Sequence, residues 1–541
     1  MKAVLSAFKI PKRLKDAIKF HSYLELFVLG GFLGAVHFPI LGIQILIPFI
    51  FLKFILSVSP RESFKGAGLK MGSFCWGYFV VSLYWVSYSL FVEIESFYWL
   101  IPFCLFGLPL FMAGIMVLAG YLIPWWKEPG LSGLLWMVLW WVGGETLLSF
   151  MAPQFPWPLL GYTWMAYPEI AQIAAFIGVY GLSALTLTFG FWAYIFMTQS
   201  KTRLLFFAFL LGPAILCLGL WKFGEARMVK SYAFSSNIRL VQPNIPQALK
   251  WDGREQIANL DKLIQLSQSF NPSFKPQTII WPESALSFYL DESAELRHKL
   301  ASMLPPGGHL ITGLMRRDVG ARKIWNSISV LDSQGTINAL YDKHQLVPFG
   351  EYFPFRNVLE TVFPKGMIRK VTAGLLDFSP GPGPQTLSVG ALPGFSPLVC
   401  YEIIFSGQVR AQGDRPKWLL NLTNDAWFGN SAGPYQHLRM AQMRAIEEGL
   451  SVVRVANTGI SALIDPYGCI LLSLGLHEQG VIDCQIPEPL SPTVFSGYGP
   501  YLKSILFWLL ALSSLGFWAG NPNLFIRKKL NDLWTKTRKK A

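Results

Sequence analysis

The sequence has few charged residues for its length. Only 14% of its 541 residues are Asp, Glu, Lys or Arg, while 52% are hydrophobic and the mean hydropathy is +0.38. Soluble domains usually contain about 25% charged residues. The composition is therefore not that of an ordinary soluble domain.

Cysteine is scarce as well. Six cysteines occur, and no pair has a Cys-x-x-Cys spacing, so a zinc site or a dithiol redox centre has no support and neither metal nor cofactor is expected. Cys469 and Cys484 could form a disulfide outside the cytoplasm or remain two small buried side chains.

Acidic residues are rare outside one block of the chain. Residues 230–500 carry 23 Lys+Arg against 22 Asp+Glu, whereas the rest carries 23 against 10. The formal charge of +14 thus does not come from a basic domain, and we expect no nucleic-acid partner. We divide the chain into an N-terminal region (1–229), a charged block (230–500) and a C-terminal region with a basic tail (501–541).

Long uncharged stretches lie on both sides of the block. A helix needs about 20 apolar residues to cross a hydrocarbon layer about 30 Å thick. An apolar region between Lys19 and Lys53, interrupted near Pro39, is predicted to form two short spanning helices. The uncharged stretches are 71–92, 97–126, 129–144, 170–200, 204–221 and 504–526. The sequence therefore predicts a polytopic α-helical membrane protein with about eight transmembrane helices and an inserted α/β domain.

The charges of the connecting loops predict the orientation. Basic residues occur in the N-terminal segment, in the loop at 53–70, at 127, at 201–203 and in the tail, while the loops at 93–96 and 151–168 contain no Lys or Arg. Basic loops stay in the cytoplasm. We therefore expect residues 1–229 to form a membrane domain, both termini to be cytoplasmic and the 230–500 block to lie on the outer face.

The 230–500 block alternates β-rich and helical runs, which is typical of a layered α/β domain. Side chains at the carboxyl ends of its strands are the first candidates for a site. Strands are predicted at 238–242, 278–281, 309–315, 327–331, 397–401, 418–423, 451–457 and 461–465, and helices at about 253–269, 292–303 and 435–449.

Three residues in this block form a set suited to acyl transfer. Glu283 follows a predicted strand, Cys400 lies at the end of another, and Lys343 lies in a largely apolar loop. A thiol with an ordinary pKa of about 8.5 needs a general base, and an ammonium can stabilise the oxyanion of the tetrahedral intermediate. Each residue alone is more often structural, so the assignment depends on their flanking sequences.

These flanking sequences resemble known families. The motifs are 244–252 (NIPQALKWD), 281–284 (WPES), 343–354, 400–402 (CYE) and 421–429 (NLTNDAWFG). They resemble the nitrilase superfamily, and over about residues 20–520 the chain resembles the apolipoprotein N-acyltransferase family. The resemblance implies an αββα sandwich with Glu283, Lys343 and Cys400 as the catalytic triad. It also implies supporting roles for Glu351, Tyr401, Glu402 and Trp251.

The resemblance further implies an activity and a location. Members of the family lie in the Gram-negative inner membrane with the nitrilase-like domain in the periplasm. They take the sn-1 acyl chain of a phospholipid, typically phosphatidylethanolamine, onto the cysteine as a thioester. They then pass it to the α-amine of the diacylglyceryl-cysteine of an apolipoprotein. The implied partners are the phospholipid donor, the diacylated acceptor and the bilayer, and we expect a monomer.

Several aromatic residues are candidates for lipid contact. Phe353 and Phe355 begin a segment predicted to be an interfacial arm, unless it packs on its own domain. Trp427 and Phe428 could line an acyl pocket or fill the core, and Trp157 and Tyr162 lie in the uncharged outer loop.

Glu145 is an ionisable residue within a predicted span and hence a functional candidate. Many relatives carry an arginine three residues later, where this chain has Leu148, so the partner of Glu145 is left open.

Two rival functions share some of these features. A membrane-tethered amidase would use the same triad with water as the acceptor, but one anchor would suffice for it. The alternative is a transporter or lipid-binding protein with an inactive outer domain. Such a protein should have clustered polar residues at mid-membrane and a degraded triad. In this sequence the triad is intact, and no such cluster is present in the spans apart from Glu145. The acyltransferase interpretation is therefore preferred.

Overall fold

The computed structural model describes most of the chain. The described residues are 12–38, 40, 42–58, 62–124, 126, 130–151, 153–199, 203–228, 233–354, 356, 361 and 377–520. The basic N-terminal segment before residue 12, Lys127, the tail after residue 520 and most of the predicted arm lie outside them.

Apolar helices precede the α/β domain, and one follows it. The longer helices are α1 (Lys12–Gly34), α2 (Ile47–Ser57), α3 (Phe64–Leu83), α4 (Leu108–Leu122), α5 (Gly130–Phe150), α6 (Ala174–Gln199), α7 (Arg203–Arg227), α8 (Gln256–Ser267), α9 (Ala294–Ala301), α10 (Gly433–Glu448) and α11 (Leu502–Gly520). The region between Lys19 and Lys53 folds as two helices, as the interruption near Pro39 predicted. Phe38 has an extended backbone (ψ 157°), the conformation favoured before proline.

Two described helical segments, Phe64–Leu100 and Phe103–Leu122, are long and apolar enough to cross a membrane. The apolar helices Ile43–Ser57, Leu135–Phe150, Ala174–Gly190 and Ser504–Gly516 are shorter. The eight-span architecture therefore stays a prediction.

Helices α1 and α3 pack through glycine. A Cβ atom on Gly30 would lie 1.8 Å from the backbone oxygen of Phe74, and one on Gly77 would lie 1.8 Å from that of Phe27. Only glycine permits such a close backbone approach, which is a common mode of helix packing in membranes.

The α/β domain contains two six-stranded sheets. The first has the order β12-β1-β2-β3-β4-β5 and the second the order β11-β10-β9-β8-β7-β6. The strands are β1 (Phe234–Gln242), β2 (Thr278–Ile280), β3 (His309–Asp318), β4 (Lys323–Asp332), β5 (Ile337–Asp342), β6 (Leu387–Val389), β7 (Leu392–Val399), β8 (Trp418–Thr423), β9 (Ser451–Ala456), β10 (Ser461–Ile464), β11 (Ile470–Leu474) and β12 (Gly480–Pro487). All eight predicted strands are found, whereas β5, β6, β11 and β12 were not predicted.

The layers follow from the buried side chains. One apolar core lies between the sheets and includes Ile280 of the first sheet and Leu420 of the second. Leu263 of α8 and Leu300 of α9 cover the outer face of the first sheet. Helix α10 packs on the second, where Met440 shares a core with the N-terminal helices. This is the helix-sheet-sheet-helix arrangement that the resemblance implied.

Parallel pairing positions the site. Strands β1, β2 and β3 run parallel, as do β7, β8 and β9. Within each sheet the carboxyl ends of these strands therefore meet at one edge. Glu283 and Cys400 follow β2 and β7 at that edge, and Thr423 is the last residue of β8.

Candidate active site

Cys400 lies at a sharp turn directly after β7. Its φ is 51°, which is unusual for a residue with a side chain and is typical of strained functional positions. The carbonyl oxygen of Cys400 accepts hydrogen bonds from Asn421 Nδ2 (3.3 Å) and faces His437 Nε2 at 3.2 Å. The hydroxyl of Thr423 lies within hydrogen-bond distance of Sγ, at 3.2 Å. The thiol is thus held in one orientation at the end of its strand.

Glu283 follows β2 and is held from two sides. A Cβ atom on Gly313 of β3 would lie 2.6 Å from Glu283 Cα, so glycine is required there for the backbones to approach. Asn326 Nδ2 donates to Glu283 Oε1 (2.8 Å) and to Glu351 Oε1 (3.0 Å). One amide therefore fixes both carboxylates.

Lys343 directly follows β5. Its Nζ lies 3.0 Å from Glu351 Oε1 and 2.9 Å from Oε2, and 3.9 Å from Glu283 Oε1. Burial lowers the pKa of Lys343, but the carboxylates of Glu351 and Glu283 outweigh it and hold that pKa above its usual value. The side chain therefore stays an ammonium at neutral pH.

The structure brings the three predicted residues together in a nearly enclosed site. Cys400, Glu283 and Lys343 are 8%, 7% and 1% exposed, and the charges of Glu283 and Lys343 both act on the thiol. Burial and the charge of Glu283 raise the pKa of Cys400 although Lys343 opposes them. Burial also raises the pKa of Glu283. The resting thiol is protonated, so its reaction requires the neighbouring base.

Glu402 joins the nucleophile turn to the lysine loop. Its Oε2 accepts from the backbone N–H of Val399 (2.7 Å), and its Oε1 accepts from the backbone N–H of His344 (2.8 Å) and the hydroxyl of Tyr341 (2.8 Å). Burial raises the pKa of Glu402, but the hydrogen bond and charge of His344 and the Val399 N–H outweigh it and lower that pKa. An ionised Glu402 thus sets the position of Cys400 relative to Lys343.

Tyr401 joins the nucleophile turn to the N-terminal helices. Its hydroxyl donates to the backbone oxygen of Gln154 at 2.7 Å, and its ring stacks on Phe155 with centroids 6.2 Å apart. Both partners belong to the loop between α5 and α6.

Two family models and several known proteins match the sequence of this chain. The family model of the carbon-nitrogen hydrolases matches residues 237–491, and that of the apolipoprotein N-acyltransferase N-terminal domain matches residues 30–192. The apolipoprotein N-acyltransferase of Rhodopseudomonas palustris is 34% identical over 489 residues, covering 86% of this chain and 90% of that protein. The apolipoprotein N-acyltransferase of Rickettsia prowazekii is 35% identical over 493 residues, covering 89% of this chain and 96% of that protein. This chain belongs to the apolipoprotein N-acyltransferase family.

A solved structure also matches. A CN-hydrolase superfamily protein from Xanthomonas campestris is 18% identical, covers 50% of this chain and 96% of its own, and has a TM-score of 0.33.

In this member of the apolipoprotein N-acyltransferase family, Trp251 lies beside a second buried lysine, Lys250. Lys250 Nζ donates to the backbone oxygen of Glu283 at 3.0 Å and lies 6.0 Å from the centre of the Trp251 ring. Burial lowers the pKa of Lys250 to about 8, against the charges of Glu283 and Cys400. Lys250 was not singled out from the sequence, although it lies in the quoted motif at 244–252.

A second group of residues that the sequence did not single out contacts Thr423 and the backbone oxygen of Cys400. Asp425 Oδ1 accepts from Thr423 (2.9 Å) and lies 2.9 Å from His437 Nδ1, and Arg454 Nη2 lies 2.6 Å from Oδ2. Burial raises the pKa of Asp425, but Arg454 and His437 outweigh it and hold that pKa well below its usual range. Thr423 and Asp425 belong to the quoted motif at 421–429, whereas Arg454 had no sequence signal.

Cys400, Asp425 and His437 together offer atoms that ligate metals, all within 4.8 Å of one another. However, the guanidinium of Arg454 already occupies the anionic side of Asp425. A positive charge there opposes a metal cation. We interpret the group as a hydrogen-bond network.

The aromatic residues proposed for lipid contact have different surroundings. Trp157 and Tyr162 are buried: the Trp157 indole donates to Gln436 Oε1 (2.8 Å), and the Tyr162 hydroxyl donates to the backbone oxygen of Ile404 (3.3 Å). Phe428 packs on Trp157 with centroids 5.6 Å apart. Phe353 and Trp427 are half-buried, and Phe355 lies outside the described residues. Lipid contact by these six residues stays a prediction.

Glu145 has partners other than arginine. Its Oε1 accepts from the indole of Trp141 (3.0 Å) and from the backbone N–H of Leu160 (2.8 Å). Leu148, at the position of the relatives' arginine, is buried in the apolar core. Glu145 therefore links α5 to the following loop through its hydrogen bond with Leu160.

Cys469 and Cys484 are both free thiols. Of the two arrangements left open by the sequence, the structure has the unbridged one.

Proposed function

We propose that this chain is an apolipoprotein N-acyltransferase that moves an acyl chain from a phospholipid to the N-terminal amine of diacylated apolipoproteins. The family membership and the buried Glu283-Lys343-Cys400 centre support this activity. We assign the three residues as base, oxyanion stabiliser and nucleophile, with Glu351, Tyr401, Glu402 and Trp251 in supporting positions.

One contact carries the proposal. The residue that follows the nucleophile, Tyr401, is hydrogen-bonded to Gln154 between two apolar helices. A soluble hydrolase has no need to join its thiol to such helices. For an enzyme whose two substrates keep their acyl chains in a bilayer, the contact is an advantage, because it would hold the thiol near the helices that contact the lipid.

In the first half-reaction Glu283 takes the proton of the Cys400 thiol, and sulfur bonds to the ester carbonyl carbon of the phospholipid. The ammonium of Lys343 stabilises the oxyanion that forms. The carbon–oxygen bond to glycerol then breaks while Glu283 returns the proton to the leaving oxygen. The products are a lysophospholipid and a thioester on Cys400.

In the second half-reaction the neutral α-amine of the apolipoprotein attacks the thioester carbonyl. Glu283 accepts a proton from the amine as the carbon–nitrogen bond forms. The carbon–sulfur bond breaks, sulfur leaves as thiolate, and the proton passes to it. An amide is released, and the resting thiol is restored.

The proposal includes a membrane arrangement. Eight spanning helices, seven in residues 1–229 and one in 501–541, would place the catalytic domain (230–500) in the periplasm and both termini in the cytoplasm of a Gram-negative inner membrane. The two long apolar helices and the charges of the loops support it. The proposed lipid contacts are Trp157, Tyr162, Phe353, Phe355, Trp427 and Phe428.

The test uses the full-length protein in detergent with phosphatidylethanolamine and a synthetic diacylated lipopeptide, analysed by mass spectrometry. We expect one added acyl chain on the peptide amine and a hydroxylamine-labile acyl group on the protein. Cys400→Ala should abolish both. Cys469→Ala, which removes a half-buried thiol from the same domain, should change neither.

The same assay separates transfer from hydrolysis. Release of free fatty acid with no acylated peptide would favour the membrane-tethered amidase. An acyl-enzyme that still forms in Cys400→Ala would show that the nucleophile is wrongly assigned.

A further inference from the structure

Among the described residues, Thr423 is the one residue whose side chain is hydrogen-bonded to the nucleophilic sulfur. Its Oγ1 lies 3.2 Å from Cys400 Sγ and 2.9 Å from Asp425 Oδ1. Thr423, Cys400 and Asp425 are all buried. A hydroxyl has a single proton, so Thr423 can donate to only one of these atoms at a time.

The two alternatives correspond to the two charge states of sulfur. When Cys400 is a thiol, its S–H can donate to Thr423 Oγ1 while the hydroxyl donates to Asp425. When sulfur is a thiolate, the hydroxyl can turn and donate to it. Threonine can do this by rotating only its O–H bond.

Asp425 is suited to be the other partner of this hydroxyl. Its Oδ2 is paired with Arg454 Nη2 at 2.6 Å. This pairing keeps the carboxylate ionised, and hence an acceptor, while Oδ1 gains or loses the hydrogen bond from Thr423. His437 Nδ1 lies 2.9 Å from Oδ1. This oxygen therefore keeps a polar contact when the Thr423 hydroxyl turns toward the sulfur.

Thr423 also approaches the sulfur from a separate part of the domain. It ends β8, in the same sheet as Cys400, whereas Glu283 and Lys343 follow strands of the other sheet. The proton acceptor and the hydroxyl thus come from different sheets and can act on the sulfur at the same time.

We propose that Thr423 is a further catalytic residue whose hydroxyl accepts from the Cys400 thiol at rest and donates to the thiolate that forms before acylation and leaves during aminolysis. The inference rests on the proposed acyltransferase activity and adds a residue to it. No additional reactant is needed, since the proton removed from sulfur goes to Glu283 and the threonine proton only changes its acceptor.

The test compares Thr423→Val, which removes the hydroxyl at nearly constant shape, with Thr423→Ser, which keeps it. A hydrogen bond to a charged group contributes enough that its loss should slow both acyl-enzyme formation and transfer to the lipopeptide about 10- to 100-fold. Thr423→Ser should stay close to wild type in both. Equal loss in the two variants, or wild-type rates in Thr423→Val, would overturn the proposal.

A second measurement does not depend on the substrates. The rate of Cys400 alkylation by iodoacetamide at pH 8 reports the thiolate, and we expect about a tenfold decrease in Thr423→Val and none in Thr423→Ser. An unchanged rate in Thr423→Val would contradict the role. If wild type alkylates normally but transfers no acyl chain, the proposed function fails while this comparison still tests Thr423. If Thr423→Val does not fold, as judged by thermal unfolding, Thr423→Ala takes its place.

Discussion

Lys250 donates a hydrogen bond from Nζ to the backbone oxygen of Glu283 at 3.0 Å, which places a second ammonium beside the base of the site. Burial lowers the pKa of Lys250 to about 8, while the charge of Glu283 and that of a Cys400 thiolate oppose this decrease. Unlike Lys343, it has no carboxylate in hydrogen-bond contact among the described residues. Its charge is therefore available to the thiolate and the oxyanion.

We expect the rate of acyl-enzyme formation to depend on the charge of the Lys250 ammonium. The ammonium is present below pH 8 and is lost as the pH rises through about 8, so the wild-type rate should fall there. Lys250→Met should be about tenfold slower at pH 7 and should not show that fall. Single-turnover kinetics with phospholipid alone measure this without the amine of the acceptor, and Lys262→Met on α8 is the control. Parallel profiles in wild type and Lys250→Met would contradict the role.

Removal of the charge of Glu283 should slow catalysis without unfolding the domain. Glu283→Gln keeps an oxygen that can accept from Asn326 but cannot take the thiol proton. We expect acyl-enzyme formation to be slower by about 100-fold or more, with a nearly unchanged melting temperature. Glu292→Gln, which weakens only an exposed ion pair with Arg317, should leave the rate unchanged because solvent screens such pairs. A Glu283→Gln variant that retains full activity would require another base.

The hydroxyl of Tyr401 should couple the nucleophile turn to the helices. Tyr401→Phe keeps the stacking on Phe155 and loses the hydrogen bond to Gln154. A neutral hydrogen bond contributes about 0.5–1.5 kcal/mol, so we expect a small loss of thermal stability and a transfer rate lower by about two- to tenfold. Thermal unfolding in detergent and steady-state transfer assays measure the two effects. Tyr435→Phe, at an exposed position of α10, is the matched control and should change neither.

The orientation can be tested with introduced cysteines. Phe270 is 89% exposed on the α/β domain, and Lys65 is exposed in the first turn of α3. A membrane-impermeant maleimide added to intact spheroplasts should label Phe270→Cys, and Lys65→Cys only after lysis. The unmodified chain gives the background labelling. The reverse pattern would place the catalytic domain in the cytoplasm.

Most strands of the α/β domain could be predicted from local sequence. The eight predicted strands were found because each has its own run of β-branched and apolar residues within a few positions. Strands β11 and β12 were not predicted, although β11 reads Ile-Leu-Leu-Ser-Leu. Four of its five residues are exposed, so it lacks the alternation of buried and exposed side chains that marks a half-buried strand.

The sequence by itself determined the chemistry of the candidate site, since Glu283, Lys343 and Cys400 each lie in a short motif whose meaning depends on adjacent residues. Only the tertiary structure decided what surrounds them. Trp85 and Trp157 share Gln436 as an acceptor although 351 and 279 residues separate them from it. Asn326, Thr423 and Lys250 likewise reach the site through sheet pairing and packing. Such contacts depend on which surfaces meet when the two sheets and the helices close on one core, and no local pattern encodes that.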